Sequence, residues 1–136
     1  MPSLNAIDIQ VGDTLPELRV AMNAQKIISG AAATRDWQPI HHDHDVAIKS
    51  GLRGIILNAP TQAGWISKYI TDRVGSNARI KRLSFKMKDS ICPGDDMVIN
   101  GEIIDSQQDG LVTATVTISV DGKLKTSAQV CFSLPA

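Results

Sequence analysis

Apolar and polar positions change rhythm once along this chain: helix-like spacing dominates up to about residue 75, and strand-like alternation dominates beyond residue 78. Thr14–Ala21 alternates, with Leu15, Leu18 and Val20 as its apolar positions, and predicts a strand. Asn23 stands where an N-cap would open a short helix reaching Ala33. After Gly54 comes a short apolar run, Ile55 to Leu57, and then a helix starting near Ala59, with Pro60 at an early helical position. Ala59, Ala63, Ile66, Ile70 and Val74 recur at spacings of three and four, Trp65 and Tyr69 widen the stripe, and Gly75 ends it. The second half predicts four strands, Arg79–Lys88, Met97–Asp105, Leu111–Val120 and Lys123–Leu134. Their connections carry Pro93-Gly94-Asp95, Gln108-Asp109-Gly110 and Asp121-Gly122, residues that supply the fixed or positive φ of tight turns. Leu83, Phe85 and Met87 alternate, as do Val112, Ala114, Val116, Ile118 and Val120, so each strand has one face to bury. The expected architecture is α+β, an antiparallel sheet wrapped around one central helix.

A chain of 136 residues with no repeat, low-complexity tract or linker reads as one domain over 1–136, long enough to enclose a core. Lys plus Arg and Asp plus Glu both total 14, so the net field steers neither nucleic acid nor an anionic membrane toward the protein. With two Phe, two Trp and one Tyr, aliphatic side chains must fill most of the core, and a base-stacking platform has no material. Cys92 and Cys131 form no CxxC or zinc-type spacing and read as buried or partly exposed thiols. Residues 1–11 lack the basic start and apolar run of a signal peptide, and no apolar stretch approaches spanning length; a soluble cytoplasmic protein is expected.

Chemistry concentrates in Thr34–Asp45, which holds all three histidines. This segment reads as an irregular loop ending in about one helical turn around Asp45–Lys49. Asp36 and His41 flank Pro39, and a loop turned at the proline can aim a carboxylate and an imidazole at one substrate atom, whereas neither a helix nor an extended strand would. Crowding of His41, His42 and His44 with Asp43 and Asp45 makes joint coordination of a metal difficult, so none is expected. Asp43 fits a hydrogen-bonding role at the start of the short helix. No Gly-rich phosphate loop is present.

The segment Asp-x-Gln-Pro-Ile-His-x-Asp at Asp36–Asp43 resembles the Asp-x-Asn-Pro-x-His-x-Asp signature of MaoC-like (R)-specific enoyl-CoA hydratases. Val11-Gly12-Asp13, Ala47, Gly51, the central helix and Pro93-Gly94-Asp95 continue the resemblance along nearly the whole chain. Ala33–Asp43, Asn58 and Lys68–Asp72 are similar to the small subunit of heteromeric steroid side-chain hydratases. The resemblance implies a hot-dog fold, with Asp36 and His41 as the acid/base pair and the backbone N–H of Ala59 polarising the thioester carbonyl. Gln38, Asn58, Trp37 and Trp65 would bind substrate or support the loop, with packing the first role of both tryptophans. Gln38, Asn58 and Ala59 replace the family's Asn, His and Gly.

Within the basic run Arg79, Lys81, Arg82, Lys86 and Lys88, a solvated strand face accounts for most members, and Arg82 and Lys88 are the candidates for the coenzyme A phosphates. The implied reaction is hydration of a 2-enoyl-CoA, with a steroid carrying a shortened CoA-linked side chain as substrate and a tertiary alcohol as product. No cofactor beyond the substrate's own coenzyme A is implied. The implied partner is a second, larger MaoC-like subunit in a heterodimer or heterotetramer, or otherwise a second copy. Two rivals differ at identifiable residues. A hot-dog thioesterase would carry a carboxylate early on the central helix, where this chain has Thr61 and Gln62, and a noncatalytic subunit would have no need of both Asp36 and His41.

Overall fold

The computed structural model describes residues 8–107 and 109–135. Strand β1 (Thr14–Ala21) leads into helix α1 (Ala24–Ala33), then a single 3-10 turn (Pro39–His41), helix α2 (His44–Lys49) and helix α3 (Ala59–Val74). Strands β2 (Arg79–Met87), β3 (Asp96–Ser106), β4 (Leu111–Val120) and β5 (Lys123–Ser133) follow. All five strands form one antiparallel sheet in the order β1-β3-β4-β5-β2, so β1 and β2 are its edges.

Alternation explains the sheet. In β4, Val112, Ala114, Val116, Ile118 and Val120 are all buried and the residues between them are half-exposed. Register places Ala114 opposite Val130 and Val116 opposite Ala128, so the inward faces of β4 and β5 pair apolar with apolar. The β4–β5 hairpin turns at Asp121 (φ 50) and Gly122 (φ 76), two consecutive positive-φ positions that suit the twist of an antiparallel ribbon. Gln108, in the β3–β4 connection, lies outside the described residues.

Each helix starts at a side-chain cap: Asn23 accepts from Lys26 N–H, Asp43 from the N–H groups of Asp45 and Val46, and Asn58 from Thr61 N–H. The buried face of α3 differs from the expected stripe. Gln62, Ile66, Tyr69, Ile70 and Val74 are buried, whereas Ala59, Ala63 and Trp65 are only partly covered. The face is rotated toward the larger side chains because the sheet leaves room for them. Tyr69 packs against β3 where Gly101 has no side chain; a Cβ there would stand 2.9 Å from the Tyr69 ring. Tyr69 Oη donates to Leu15 O at 3.2 Å, satisfying its polar end. Ile55 and Leu57 are buried in an extended stretch rather than a strand, tied by Ile56 N–H to Ile40 O and by Leu57 N–H to Ile91 O.

Among the described residues no helix is long and apolar enough to cross a membrane. Cys92 is a buried free thiol, and Cys131 is partly exposed.

Candidate active site

Residues 34–58 cross the N-terminal end of α3 with little regular structure, and local hydrogen bonds fix their shape. Asp36 N–H donates to Ala31 O at 2.8 Å, anchoring the carboxylate to the end of α1. Pro39 then starts the 3-10 turn, and His41 N–H donates to Gln38 O at 3.0 Å. That turn brings His41 back over Asp36, with Nε2 3.3 Å from Asp36 Oδ2. The two side chains that the sequence proposes as a pair are neighbours in space.

A specific partner holds each of them. His41 is buried, and its Nδ1 lies 2.7 Å from Ile56 O, a carbonyl that can only accept. Nδ1 therefore carries the proton, and in the neutral ring Nε2 keeps its lone pair on the side facing Asp36. Asp36 Oδ2 accepts from Asn58 Nδ2 at 3.0 Å, and Oδ1 accepts from Gln38 N–H at 3.3 Å. The Asn58 hydrogen bond draws the Asp36 carboxyl below its usual pKa against the opposing cost of partial burial, and the Gln38 N–H and the two nearby imidazoles add to the lowering. At neutral pH Asp36 is a carboxylate.

Asn58 links this pair to the helix. Its Oδ1 caps α3 through Thr61 N–H at 3.3 Å, while Nδ2 reaches both Asp36 and Thr34 Oγ1, each at 3.0 Å. The first turn of α3 is thereby accounted for. Pro60 has no N–H, Thr61 N–H is capped, and Gln62 N–H donates to Asn58 O at 3.1 Å. The N–H of Ala59 remains as the first-turn donor, and Ala59 is among the residues that line a cavity together with Asp36 and His41.

This cavity measures about 470 Å³ and is bounded further by Ile40, Ile56, Leu57, Met87, Lys88, Asp89 and Ser90. That volume lies within the ~300–1,000 Å³ typical of small-molecule sites. Gln62 lines it as well, and sequence reasoning assigned that residue no part in the site. Its side chain is 1% exposed, accepts from Thr126 Oγ1 at 2.6 Å and donates to Leu57 O at 3.3 Å. The signal was a lone amide at the head of the helical series Gln62–Ile66–Ile70. Asp89 at the cavity wall pairs at 2.7 Å with Lys125, whose side chain is only 7% exposed.

The remaining sequence candidates divide. Lys88 lines the cavity, but Arg82 does not: it stands opposite Cys131 on the outer face of the sheet, beside Lys81 and Ser84. Gln38 supports the loop through its backbone, and its side chain is exposed. Trp37 is 67% exposed and stacks on His42 with ring centroids 5.6 Å apart, while His42 Nε2 donates to Asp36 O at 2.7 Å. Both residues brace the loop. Trp65 faces a separate shallow groove between α1 and α3, lined also by Gly30, Ala33, Thr61 and Gly64. No group of three or more metal-ligating side chains is assembled among the described residues.

A helix enclosed by an antiparallel sheet, with a carboxylate–imidazole pair at its N-terminus, defines a MaoC-like hot-dog protein; residues 9–123 match the MaoC like domain family, and the chain belongs to it. More particularly, it is 37% identical over 106 residues to the beta subunit of the 3-oxo-4,17-pregnadiene-20-carboxyl-CoA hydratase of Mycobacterium tuberculosis, covering 78% of this chain and 81% of that one. It superposes on a chain of the ChsH1-ChsH2 complex from Mycobacterium tuberculosis with a TM-score of 0.89 at 34% identity, over 92% of this chain and 98% of that chain. The R-hydratase PhaJ1 from Pseudomonas aeruginosa aligns with a TM-score of 0.90 over 98% of this chain and 86% of its own, at 17% identity, a likeness of fold alone.

Proposed function

We propose that this chain hydrates a 2-enoyl-CoA thioester, with Asp36 and His41 as the acid/base pair and Ala59 N–H stabilising the negative charge that develops on the thioester oxygen. The carrying observation is the 3.3 Å approach of Asp36 Oδ2 and His41 Nε2 in two residues that line one cavity together with Ala59, the first residue of α3. Hydration needs one O–H bond of water to break as a C–O bond forms at the β carbon and a proton reaches the α carbon. A carboxylate and an imidazole lone pair facing each other can hold and deprotonate that water and return the proton. Enolate character on the carbonyl oxygen is stabilised by a donor at a helix N-terminus. Addition of water changes no net oxidation level across the two carbons, so the reading requires no redox cofactor.

The named relative and the complex-forming neighbour support two finer statements: the acyl group is a steroid with a shortened CoA-linked side chain, and a second MaoC-like subunit accompanies this chain. The largely apolar cavity suits such a group, and Lys88 at its wall is the candidate for a coenzyme A phosphate. The reading assigns the protein to the cytoplasm with the acyl-CoA pool. A thioesterase reading has less to stand on, because the first turn of α3 holds no acidic residue and Asp72, near the far end, pairs with Lys68.

The test compares a steroid enoyl-CoA with a crotonyl-type substrate, using wild type, Asp36→Asn and His41→Ala, each with and without a MaoC-like partner subunit. Hydration of the steroid substrate should fall by roughly 10²–10⁴-fold in either variant. Turnover that survives both substitutions would remove the proposed pair, and release of free coenzyme A without hydration would favour the thioesterase.

A further inference from the structure

The first turn of α3 buries a polar side chain in an otherwise apolar face. Gln62 is 1% exposed and heads the series Ile66, Tyr69, Ile70 and Val74, and the residue it meets on β5, Thr126, is fully buried. Taking an amide out of water is costly unless its hydrogen bonds are replaced, so its partners carry the explanation. Thr126 Oγ1 donates to Gln62 Oε1 at 2.6 Å, while Gln62 Nε2 donates to Leu57 O at 3.3 Å and lies 3.5 Å from Met87 Sδ. Leu57 O can only accept, so it fixes which end of the amide faces it, and the Thr126 hydroxyl donates to the other end.

These bonds meet at the start of α3. The main-chain N–H of Gln62 donates to Asn58 O at 3.1 Å, so one residue holds both Leu57 O and Asn58 O. The two carbonyls belong to successive peptides, and the second peptide carries the Ala59 N–H at its other end. A planar peptide turns as one unit, so what holds Asn58 O also sets the direction of Ala59 N–H. Leu57 is anchored at its own N–H by Ile91 O at 2.9 Å. Through Thr126, the chain entering α3 is thus tied to the sheet as well as to its own helix.

We propose that Gln62, held by Thr126, is a positioning residue for the Ala59 N–H, and so sets how well that donor meets the thioester oxygen as charge develops on it. The inference rests on the hydratase reading above and deepens it. A donor already aimed stabilises the transition state without reorganising, and small misplacements are costly in rate. Removing the Thr126 hydroxyl leaves Gln62 Oε1 buried without its donor, and an amide that turns to find another releases Leu57 O. The Leu57–Asn58 peptide then rotates, and the peptide bearing Ala59 N–H follows through the shared Cα of Asn58. Because that donor acts most strongly in the transition state, its misplacement lowers kcat and leaves KM nearly unchanged.

The test joins steady-state hydration of a steroid enoyl-CoA, by the full chain with its MaoC-like partner, to the amide proton shift of Ala59 on adding the saturated steroid acyl-CoA, which cannot be hydrated. Thr126→Val and Gln62→Leu should each lower kcat per folded molecule about tenfold or more, with KM held within about twofold. Thr126→Ser, which keeps the hydroxyl, should stay near wild type. Ile118→Val, a core change opposite Thr126 that spares the hydrogen bond, should do the same. In wild type the thioester should move the Ala59 amide proton downfield, and in Thr126→Val that movement should shrink, which a loss of stability alone would not cause. Wild-type kcat and an undiminished Ala59 shift in Thr126→Val would overturn the proposal even if Gln62→Leu failed to fold. A rise in KM at constant kcat would also overturn it, since the pair would then shape the acyl cavity instead. If wild type moves Ala59 but hydrates nothing, the hydratase reading falls and the positioning of the donor stands; if hydration proceeds with Ala59 unmoved, the donor and this inference fall together.

Discussion

In β4 and β5, inward side chains such as Val116, Ile118, Val130 and Phe132 are fully buried in apolar surroundings, and the backbone is satisfied by long ladders. Between Thr34 and Asn58 the chain is held instead by single polar contacts at named atoms: His41 on Ile56 O, His42 on Asp36 O, Asn58 on Asp36 and Thr34. The sheet spreads its stability over many contacts that tolerate exchange of one aliphatic side chain for another. The loop depends on a few donors and acceptors, and it holds the proposed acid/base pair. Substitutions in the two regions should therefore separate stability from rate.

The largest effect on folding is expected from Phe132→Ala. Phe132 is fully buried on β5 opposite Val112 and Ile80, and removing its ring leaves a cavity among rigid neighbours. A loss of about 3–5 kcal/mol in urea-unfolding free energy is expected. Turnover per folded molecule should change far less than in Asp36→Asn. If turnover collapsed while stability held, the division between scaffold and loop would be wrong.

The same division governs what could be read before any coordinates. Alternation and turn residues located β1 and β4 to the residue and the other strands to within one or two, because a strand with one buried face writes its period into the sequence. The Asp36–His41 pairing was legible through the motif and the proline between them. Gln62 was not placed, since its partner Thr126 lies on β5, 64 positions away, and nothing local signals that bond. The outward direction of Arg82 follows from strand parity once Leu83, Phe85 and Met87 point inward. Lys88 shares that parity but lies beyond the last residue of β2, which is how it reaches the cavity.

A smaller and more informative effect is expected from Asn58→Ala, because Asn58 both caps α3 and holds the Asp36 carboxylate in the loop. Loss of the α3 cap should cost about 1 kcal/mol of stability. Loss of its Nδ2 donor should raise the Asp36 pKa, because that hydrogen bond is the largest cause of the lowering. In wild type, the folded-state value lies below the unfolded one, so Asp36 contributes stability above the unfolded Asp pKa, and this is lost as pH falls through the folded value. In the variant that acid-side loss should begin at higher pH. A carbon-13 carboxylate titration reads the shift directly, and an unmoved Asp36 midpoint would show that Asn58 acts on the helix alone.

Least effect is expected from Trp37→Ala, although tryptophan is the largest side chain in the loop. Trp37 is 67% exposed, and its contact with His42 is one stacked face at 5.6 Å, so little area is removed from water. His42 keeps its hydrogen bond to Asp36 O without the indole, and that bond bears on the position of the carboxylate. Stability should change by about 0.5 kcal/mol, the low end of the ~0.5–1.5 kcal/mol of an aromatic pair, and the ratio of steroid to short-chain turnover should hold. Replacing His42 by Ala removes the hydrogen bond as well as the stack. If Trp37→Ala slowed hydration as much as that substitution, the indole would be positioning the loop through His42, and the exposed rim would belong with the site.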